Sequence, residues 1–230
     1  MIDIRSKIEQ TLLPQRCVLC AAPASAQMLC AGCERDLPWH SAKQCPVCAL
    51  PIGNGDICGA CLKTPPAFDG SYALLEYRFP VSAVLQRYKY SGFLAVSGLM
   101  GHLLARELMP AARPDIIIPM PLHPSRLKER GFNQASEIAR IVAQQLDIPL
   151  ATHICSRTRP TPPQAGLAVK ERRRNMKGVF ACSQSLAGQH VALLDDVMTT
   201  GASLDALART VKNAGAARVD CWVIARTLPE

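Results

Sequence analysis

At 230 residues the chain has room for one large domain, or for a domain with a small module attached, and with 49% apolar residues it can bury a sizeable core. No apolar run approaches the roughly 20 residues that span a bilayer, and residues 1–16, MIDIRSKIEQTLLPQR, hold acids and no continuous apolar stretch. Neither membrane insertion nor a secretory leader is therefore expected, and a cytoplasmic protein is. The formal charge of +8 is uneven, +1 over residues 1–66 and +7 over 67–230, with eleven basic and four acidic residues concentrated at 126–177. A basic face this local suits a polyanion, either pyrophosphate or a nucleic-acid backbone; the plainer reading is a solvated basic loop.

Residues 3–13 read as a short helix with Ile4, Ile8 and Leu12 on one side, ended by Pro14. Four identical knuckles follow: Cys17-x-x-Cys20, Cys30-x-x-Cys33, Cys45-x-x-Cys48 and Cys58-x-x-Cys61, with nine residues between the first two pairs and nine between the last two. A disulfide framework belongs with a secreted chain. Two cysteines a turn apart point both thiolates at one metal, and two such pairs close a tetrahedral zinc site. The repeat thus reads as two zinc ribbons. Sequential pairing is preferred, Cys17/Cys20/Cys30/Cys33 and then Cys45/Cys48/Cys58/Cys61; a cross-braced pairing stays open, and a redox CxxC is the rival that four copies disfavour. Four thiolates leave no open position, so the Zn²⁺ ions are structural and supply folding energy to a module with little core. The ribbons carry no basic cluster, which weakens nucleic-acid binding for this part. Lys63-Thr64-Pro65-Pro66 reads as a linker, dividing a ribbon module, 1–66, from a larger domain, 67–230.

In that domain Ser71–Tyr77 reads as a strand, Pro80–Tyr90 as a helix with Val81, Val84, Leu85 and Tyr88 inward, and 93–109 as a second helix. Lys89 between Tyr88 and Tyr90 reads as a surface lysine beside two packed tyrosines; the alternative is a reach toward a phosphate. Asp115–Pro119 is a buried-type strand that enters a basic loop, Met120 to Asn133, and Asn133 caps a helix over Gln134–Leu146. Arg126 and Arg130, four apart, present guanidinium forks suited to bidentate phosphate contacts. His123 on this loop is read as neither ligand nor acid.

Pro149–Cys155 reads as a third strand. The segment Ser156–Gly178 holds three prolines and seven basic residues, too polar and broken for core, and a loop of that length is commonly functional. Val179–Cys182 reads as a short strand, and Ala217–Ala225 as the last one. Cys155, Cys182 and Cys221 read as buried thiols. Between them stands Val191–Ser203, VALLDDVMTTGAS. Four apolar residues make a strand buried on both faces. Asp195 and Asp196 follow, then a small-residue turn, Thr199-Thr200-Gly201-Ala202-Ser203, running into an apolar-periodic helix. A ligand belongs at the carboxyl end of such a strand. Backbone N–H groups at a helix start make an anion cradle with the Thr and Ser hydroxyls, and two carboxylates can accept from a pair of ribose hydroxyls. The bland alternative is a turn with Thr200 or Ser203 as helix cap. The acids are expected at a strand end facing solvent, so replacing them should hardly affect folding. Gly201→Val should instead put a side chain where the phosphate sits.

Asp195-Asp196-Val197-Met198-Thr199-Thr200-Gly201-Ala202-Ser203 resembles the phosphoribosyl-pyrophosphate (PRPP) signature of type I phosphoribosyltransferases. The resemblance implies ribose hydroxyls on the two acids and the 5-phosphate in the Thr199–Ser203 loop. Arg126-x-x-x-Arg130-Gly131-Phe132-Asn133-Gln134, with the four knuckles ahead and the acid-pair motif behind, narrows the likeness, and the chain resembles the ComF/GntX family over nearly its whole length. That resemblance implies a double zinc ribbon ahead of a phosphoribosyltransferase domain, a link with DNA uptake or use of external DNA, and a flexible loop at 156–178 folding over the pyrophosphate. Arg157, Arg159, Gln164, Arg172 and Asn175 look like the family's residues there, with Arg157 and Arg172 expected on PRPP; Lys170 and Arg174 are read as solvated charge.

Strands alternating with helices predict an α/β fold, a parallel sheet with helices on both faces. In the expected mechanism the acids, with Arg126 and Arg130, are catalytic: carboxylates stabilise an oxocarbenium-like centre while arginines and Mg²⁺, held mostly by substrate oxygens, neutralise the leaving pyrophosphate. The expected function is transfer of phosphoribose to or from an unidentified, nucleobase-type acceptor. The alternative is a PRPP-sensing protein of natural transformation that holds single-stranded DNA on the basic face and other DNA-uptake proteins on the ribbons. Aromatics are 5% of residues and not interleaved with the basic run, so DNA contact would be electrostatic rather than stacked.

Overall fold

The computed structural model describes residues 15–24, 28–40, 43–91, 94–108, 113–160 and 178–229. The expected helix at 3–13 and most of the loop at 156–178 lie outside the described residues.

The ribbon region is an internal repeat displaced by 28 residues. Cys17 N–H donates to Ala22 O, and Cys45 N–H to Leu50 O; Ala21 N–H donates to Cys17 O, and Ala49 N–H to Cys45 O. Ala21 and Ala49 both take positive φ, and single antiparallel bridges join Arg16 to Pro23 and Gln44 to Pro51. The second cysteine pair of each ribbon sits at the start of a short helix, Cys30 and Cys58 being the N-caps and Cys33 and Cys61 lying within α1 (Ala31–Arg35) and α2 (Gly59–Lys63).

Beyond the linker come β1 (Gly70–Glu76), α3 (Val81–Ser91), α4 (Ala95–Leu108) and β2 (Ile116–Pro119), then α5 (Pro124–Arg130), α6 (Gln134–Leu146), β3 (Cys155–Arg157) and β4 (Phe180–Cys182), and last β5 (His190–Met198), α7 (Ala202–Asn213) and β6 (Arg218–Arg226). Four strands form a parallel sheet in the order β1-β6-β5-β2. Val191–Leu194, Ile117–Ile118 and Val223–Ala225 are buried, as expected of strands covered on both faces.

Connectivity says which helix covers which face. From β1 to β2, and from β2 to the bridge that Leu150 makes with Ile117, the chain steps one way across the sheet; from β5 to β6 it steps back. Right-handed crossovers then put α4 and α6 on one face and α7 on the other. The contact between α4 and α6 is close enough that a Cβ on Gly101 would lie 2.6 Å from Ile141 Cβ. Strand order reverses between β5 and β2, and in open α/β sheets the crevice beyond the carboxyl ends at such a reversal is where ligands bind.

Three expectations need correction. The loop after Pro119 contains a helix, α5, for which Pro124 at its start and left-handed Gly131 at its end are the signals. The strand expected at Pro149–Cys155 is reduced to the Leu150 bridge, because bends at 152–154 carry the chain out of the sheet; β3 pairs antiparallel with β4 instead. The motif strand does not stop at Leu194. It runs nine residues, through both acids to Met198, which pairs with Arg226.

Candidate functional site

Each zinc cluster is sequential. The thiols of Cys17, Cys20, Cys30 and Cys33 lie within 4.8 Å of one another, as do those of Cys45, Cys48, Cys58 and Cys61, which removes the cross-braced alternative. A tetrahedral site with Zn–S near 2.3 Å has sulfur–sulfur edges of about 3.8 Å. Cys20–Cys30 at 3.7 Å and Cys48–Cys58 at 3.6 Å fit that edge. One thiol in each cluster already favours thiolate. Burial opposes it, yet backbone N–H groups pull Cys17 down to about 6 and Cys45 to about 7. These are two Cys₄ zinc sites.

The second centre lies at the strand reversal. Asp195 and Asp196 occupy the last turns of the β5 pleat, Asp195 half-buried and Asp196 8% exposed. This corrects the expectation of solvent-facing acids: the strand continues past its apolar run, and α3 covers its end. The covering group is Lys89, whose Nζ lies 2.6 Å from Asp196 Oδ2. Burial opposes the ammonium, but Asp196 and, further off, Asp195 outweigh it and raise the Lys89 pKa. Lys89 is thus no mere surface lysine. Asp195 is pushed up to about 8, first by burial and then by the Asp196 charge, with Lys89 and the Asp196 N–H working the other way. The N–H donates to Asp195 Oδ1 at 2.9 Å.

Tyr88, the neighbour of Lys89 on α3, is held by the RGFNQ stretch. Gly131 ends α5 in the left-handed conformation. Phe132 packs on Tyr88 with ring centroids 5.3 Å apart. Asn133 Oδ1 accepts from the N–H groups of Ala135 and Ser136, while its Nδ2 donates to Met120 O. The buried Gln134 accepts from Tyr88 Oη through its carbonyl, 3.3 Å, and from Arg130 Nη1 through its side chain, 3.1 Å. Arg130 therefore lies against this scaffold. Arg126 reaches Glu129 Oε2 at 2.7 Å. His123 caps α5, its Nδ1 accepting from Ser125 N–H.

Arg157, on β3, has its guanidinium 5.7 Å from the Phe180 ring centroid. Burial lowers its pKa; Asp195 raises it, and Arg126 lowers it further. The fields of Arg126, Arg157 and Asp195 therefore overlap. Arg172, Gln164, Asn175, Lys170 and Arg174 lie outside the described residues.

The loop after β5 is the expected cradle. Val197 is half-buried, Met198 buried, Thr199 exposed, and Thr200, Gly201 and Ser203 partly exposed, with Ala202 buried behind them. Gly201, at φ 79°, is the N-cap of α7 and offers no capping side chain; Thr200 Oγ1 makes only a long contact, 3.4 Å, with Ala202 N–H. The first-turn N–H groups of α7 are thus available to an anion. Beside Gly201 an added Cβ would meet Met198 Cε, the far end of a flexible side chain, at 2.8 Å. Arg226, 3% exposed, holds the loop from behind by donating to Met198 O at 2.8 Å and to Thr199 O.

Sequence reading missed Arg226 and gave Lys89 the plainer of its two readings. Lys89 had a signal, a lysine flanked by aromatics just before a Ser-Gly stop. Arg226 had only one, a charged residue at the end of an otherwise apolar strand.

Residues 8–62 match the family model of the double zinc ribbon domain, and residues 133–228 that of the phosphoribosyl transferase domain. Competence protein F of Haemophilus influenzae is 31% identical over 223 residues, covering 92% of this chain and 96% of that protein. DNA utilization protein YhgH of Escherichia coli O157:H7 is 32% identical over 225 residues, covering 94% of this chain and 99% of its own. Among solved structures, a purine phosphoribosyltransferase from Pyrococcus horikoshii aligns over 58% of this chain and 87% of its own, at 17% identity and a TM-score of 0.36.

Proposed function

The chain belongs to the family of competence protein F and the DNA utilization proteins, and from that premise we propose that it binds PRPP and transfers phosphoribose to or from a nucleobase-type acceptor in the use of external DNA. The observation that carries this reading is the placement of three groups at one strand reversal: the Asp195-Asp196 pair at the end of β5, the uncapped start of α7 beyond it, and Arg157 within electrostatic reach of Asp195 on one side and of Arg126 on the other.

Each group has a part. The N–H groups at Thr199–Ser203 hold the 5-phosphate. The two carboxylates accept from the ribose diol, and Lys89 sets the orientation of Asp196. As pyrophosphate departs, positive charge grows on the ribose ring, and fixed carboxylates nearby stabilise it without reorganising. Arg126, Arg157 and Arg172 neutralise the leaving group, and Arg130 braces α5 and α6. Among the described residues no cluster of three acids or histidines stands ready for a cation; Mg²⁺ would arrive with PRPP, screen the pyrophosphate charge, and draw most of its ligands from substrate oxygens and water.

The test is incubation with PRPP and Mg²⁺ against a panel of bases, with pyrophosphate release measured beside calorimetric binding. Release dependent on one base, abolished by Asp195→Asn, is the expected result. Binding without turnover would favour the PRPP-sensing, single-stranded-DNA-binding alternative, for which the basic segment 126–177 speaks. Absence of binding would overturn both.

A further inference from the structure

Arg226 joins two regions that the chain separates widely. Its Nε donates to Cys48 O at 3.0 Å, a bond between residues 178 apart. Its Nη1 donates to Met198 O at 2.8 Å, to Thr199 O, and to Thr227 O at 3.0 Å. The side chain is almost wholly enclosed, so these bonds are made away from competing water and cannot be exchanged for solvent without cost. A zinc tetrathiolate carries a net charge of about −2 from its four thiolates and one Zn²⁺, and a buried guanidinium is its counter-ion.

The rest of the Cys45–Cys48 knuckle is bound in the same way. Ser71 N–H donates to Pro46 O at 2.9 Å and Ser71 Oγ to Val47 O at 2.7 Å. With the Arg226 bond, three successive carbonyls of the Cys45–Cys48 knuckle are taken by the sheet. The first ribbon touches the same core through Cys17, Leu29 and Leu37; its directional bonds, Arg106 Nη1 to Glu34 Oε1 at 2.7 Å and Glu76 N–H to Pro38 O, run to α4 and β1 rather than to Met198 or Thr199.

We propose that Arg226 is a positioning residue for the phosphate cradle, holding the Met198 and Thr199 carbonyls in place from the second zinc ribbon. In a trans peptide the C=O and the following N–H point in opposite directions. Fixing the Met198 and Thr199 carbonyls inward on one guanidinium aims the N–H groups of Thr199 and Thr200 outward, where an anion would lie. The anchor of that guanidinium is the backbone of a zinc ligand. Loss of the second zinc frees Cys48, slackens Arg226 and lets the cradle turn; loss of the first leaves it in place. Coupling of this kind is reciprocal, so an occupied cradle tightens zinc binding by the second ribbon alone. The proposal rests on the PRPP reading for its ligand but not for its test.

The test uses the full-length zinc-loaded chain and three variants. Arg226→Met keeps the volume and removes the donors; Arg226→Lys keeps the charge but cannot span both regions; Cys20→Ser disturbs only the first ribbon. Amide hydrogen exchange of the peptide covering 197–204 is followed by mass spectrometry, and zinc release to a chromogenic chelator is timed. Both Arg226 variants should raise exchange at 197–204 at least tenfold and speed release of one zinc of the two, while Cys20→Ser leaves exchange there unchanged. If Arg226→Met does not fold, Arg226→Lys and partial chelation of the wild type decide. Unchanged exchange at 197–204 after loss of the second zinc overturns the proposal, as does equal sensitivity of that peptide to either ribbon. A wild type that ignores PRPP would overturn the substrate reading and leave these two measurements to judge Arg226.

Discussion

Asp196 faces two ways. It is the partner of Lys89 and, in the proposed function, of a ribose hydroxyl, so its removal should be felt twice. Hydrogen bonds to charged groups contribute roughly 1.5–3 kcal/mol. Asp196→Asn should therefore lower PRPP affinity tenfold or more by calorimetry. It should also lower stability by about 1–3 kcal/mol in thermal denaturation, because the Lys89 ammonium is left without its anion. Adding Lys89→Met should recover part of the stability and none of the affinity. An Asp196→Asn protein as stable as the wild type would show the pair to be incidental. Asp195 behaves differently. Its folded pKa of about 8, raised by burial and by Asp196, exceeds the unfolded value of about 3.9. The folded state thus binds a proton that the unfolded state lacks, and the unliganded protein should lose stability as pH rises from about 4 through 8. A ribose diol asks for an acceptor rather than an acid proton, so PRPP binding near pH 7 should release close to one proton. Calorimetry in two buffers of different ionisation enthalpy reads that release directly, and Asp195→Asn should abolish it. The acid pair itself was legible from an apolar run followed by two aspartates. Its burial was not, because the covering lysine sits 107 residues earlier, on a helix whose own pattern says only that Tyr88 points inward.

At the scale of elements, the start of α7 is the part most exposed to test. Gly201 combines a φ of 79° with a Cβ position 2.8 Å from Met198 Cε. Gly201→Ala should cost about 1–2 kcal/mol of stability from the backbone alone and reduce PRPP affinity with it, since the displaced methionine belongs to the residue whose carbonyl Arg226 holds. Affinity lost at full stability would point instead to an occupied phosphate site. The basic segment makes its own prediction. If single-stranded DNA binds there, neutralising Arg172, Arg173 and Arg174 together should flatten the salt dependence of affinity by roughly one unit per lost phosphate contact; an unchanged slope would move the DNA elsewhere. The knuckles at 17–61 announced zinc by spacing, but identical intervals could not distinguish sequential from crossed pairing. That choice is made in three dimensions, where a 28-residue repeat brings each knuckle to its own short helix. RGFNQ pointed to the right place with a different emphasis. Four of its five residues serve the helix caps and the Tyr88 contact, and the fifth, the arginine, bonds back to the glutamine.

At the scale of the molecule, elemental analysis of purified protein should find two zinc ions per chain, with none on Cys155, Cys182 or Cys221; a value near zero with disulfides in their place would remove the ribbons. The ribbons do more than bind metal, because of where they lie. β1 is the outermost strand of the parallel sheet, and an outer strand exposes a row of unpaired backbone groups to any passing chain. Here that row is met by the ribbon region: His40 N–H donates to Leu74 O, Glu76 N–H to Pro38 O, and Ser71 N–H to Pro46 O. A metal-dependent fold thus acts as the seal of a sheet, and the seal leaves the ribosome before the strand it protects. β6, the inner neighbour of β1, is made last. A chain synthesised without zinc would carry β1 (Gly70–Glu76) bare on both edges until β6 (Arg218–Arg226) emerged, and its first symptom in a metal-starved cell would be aggregation of new protein, while molecules already folded kept their ligand affinity.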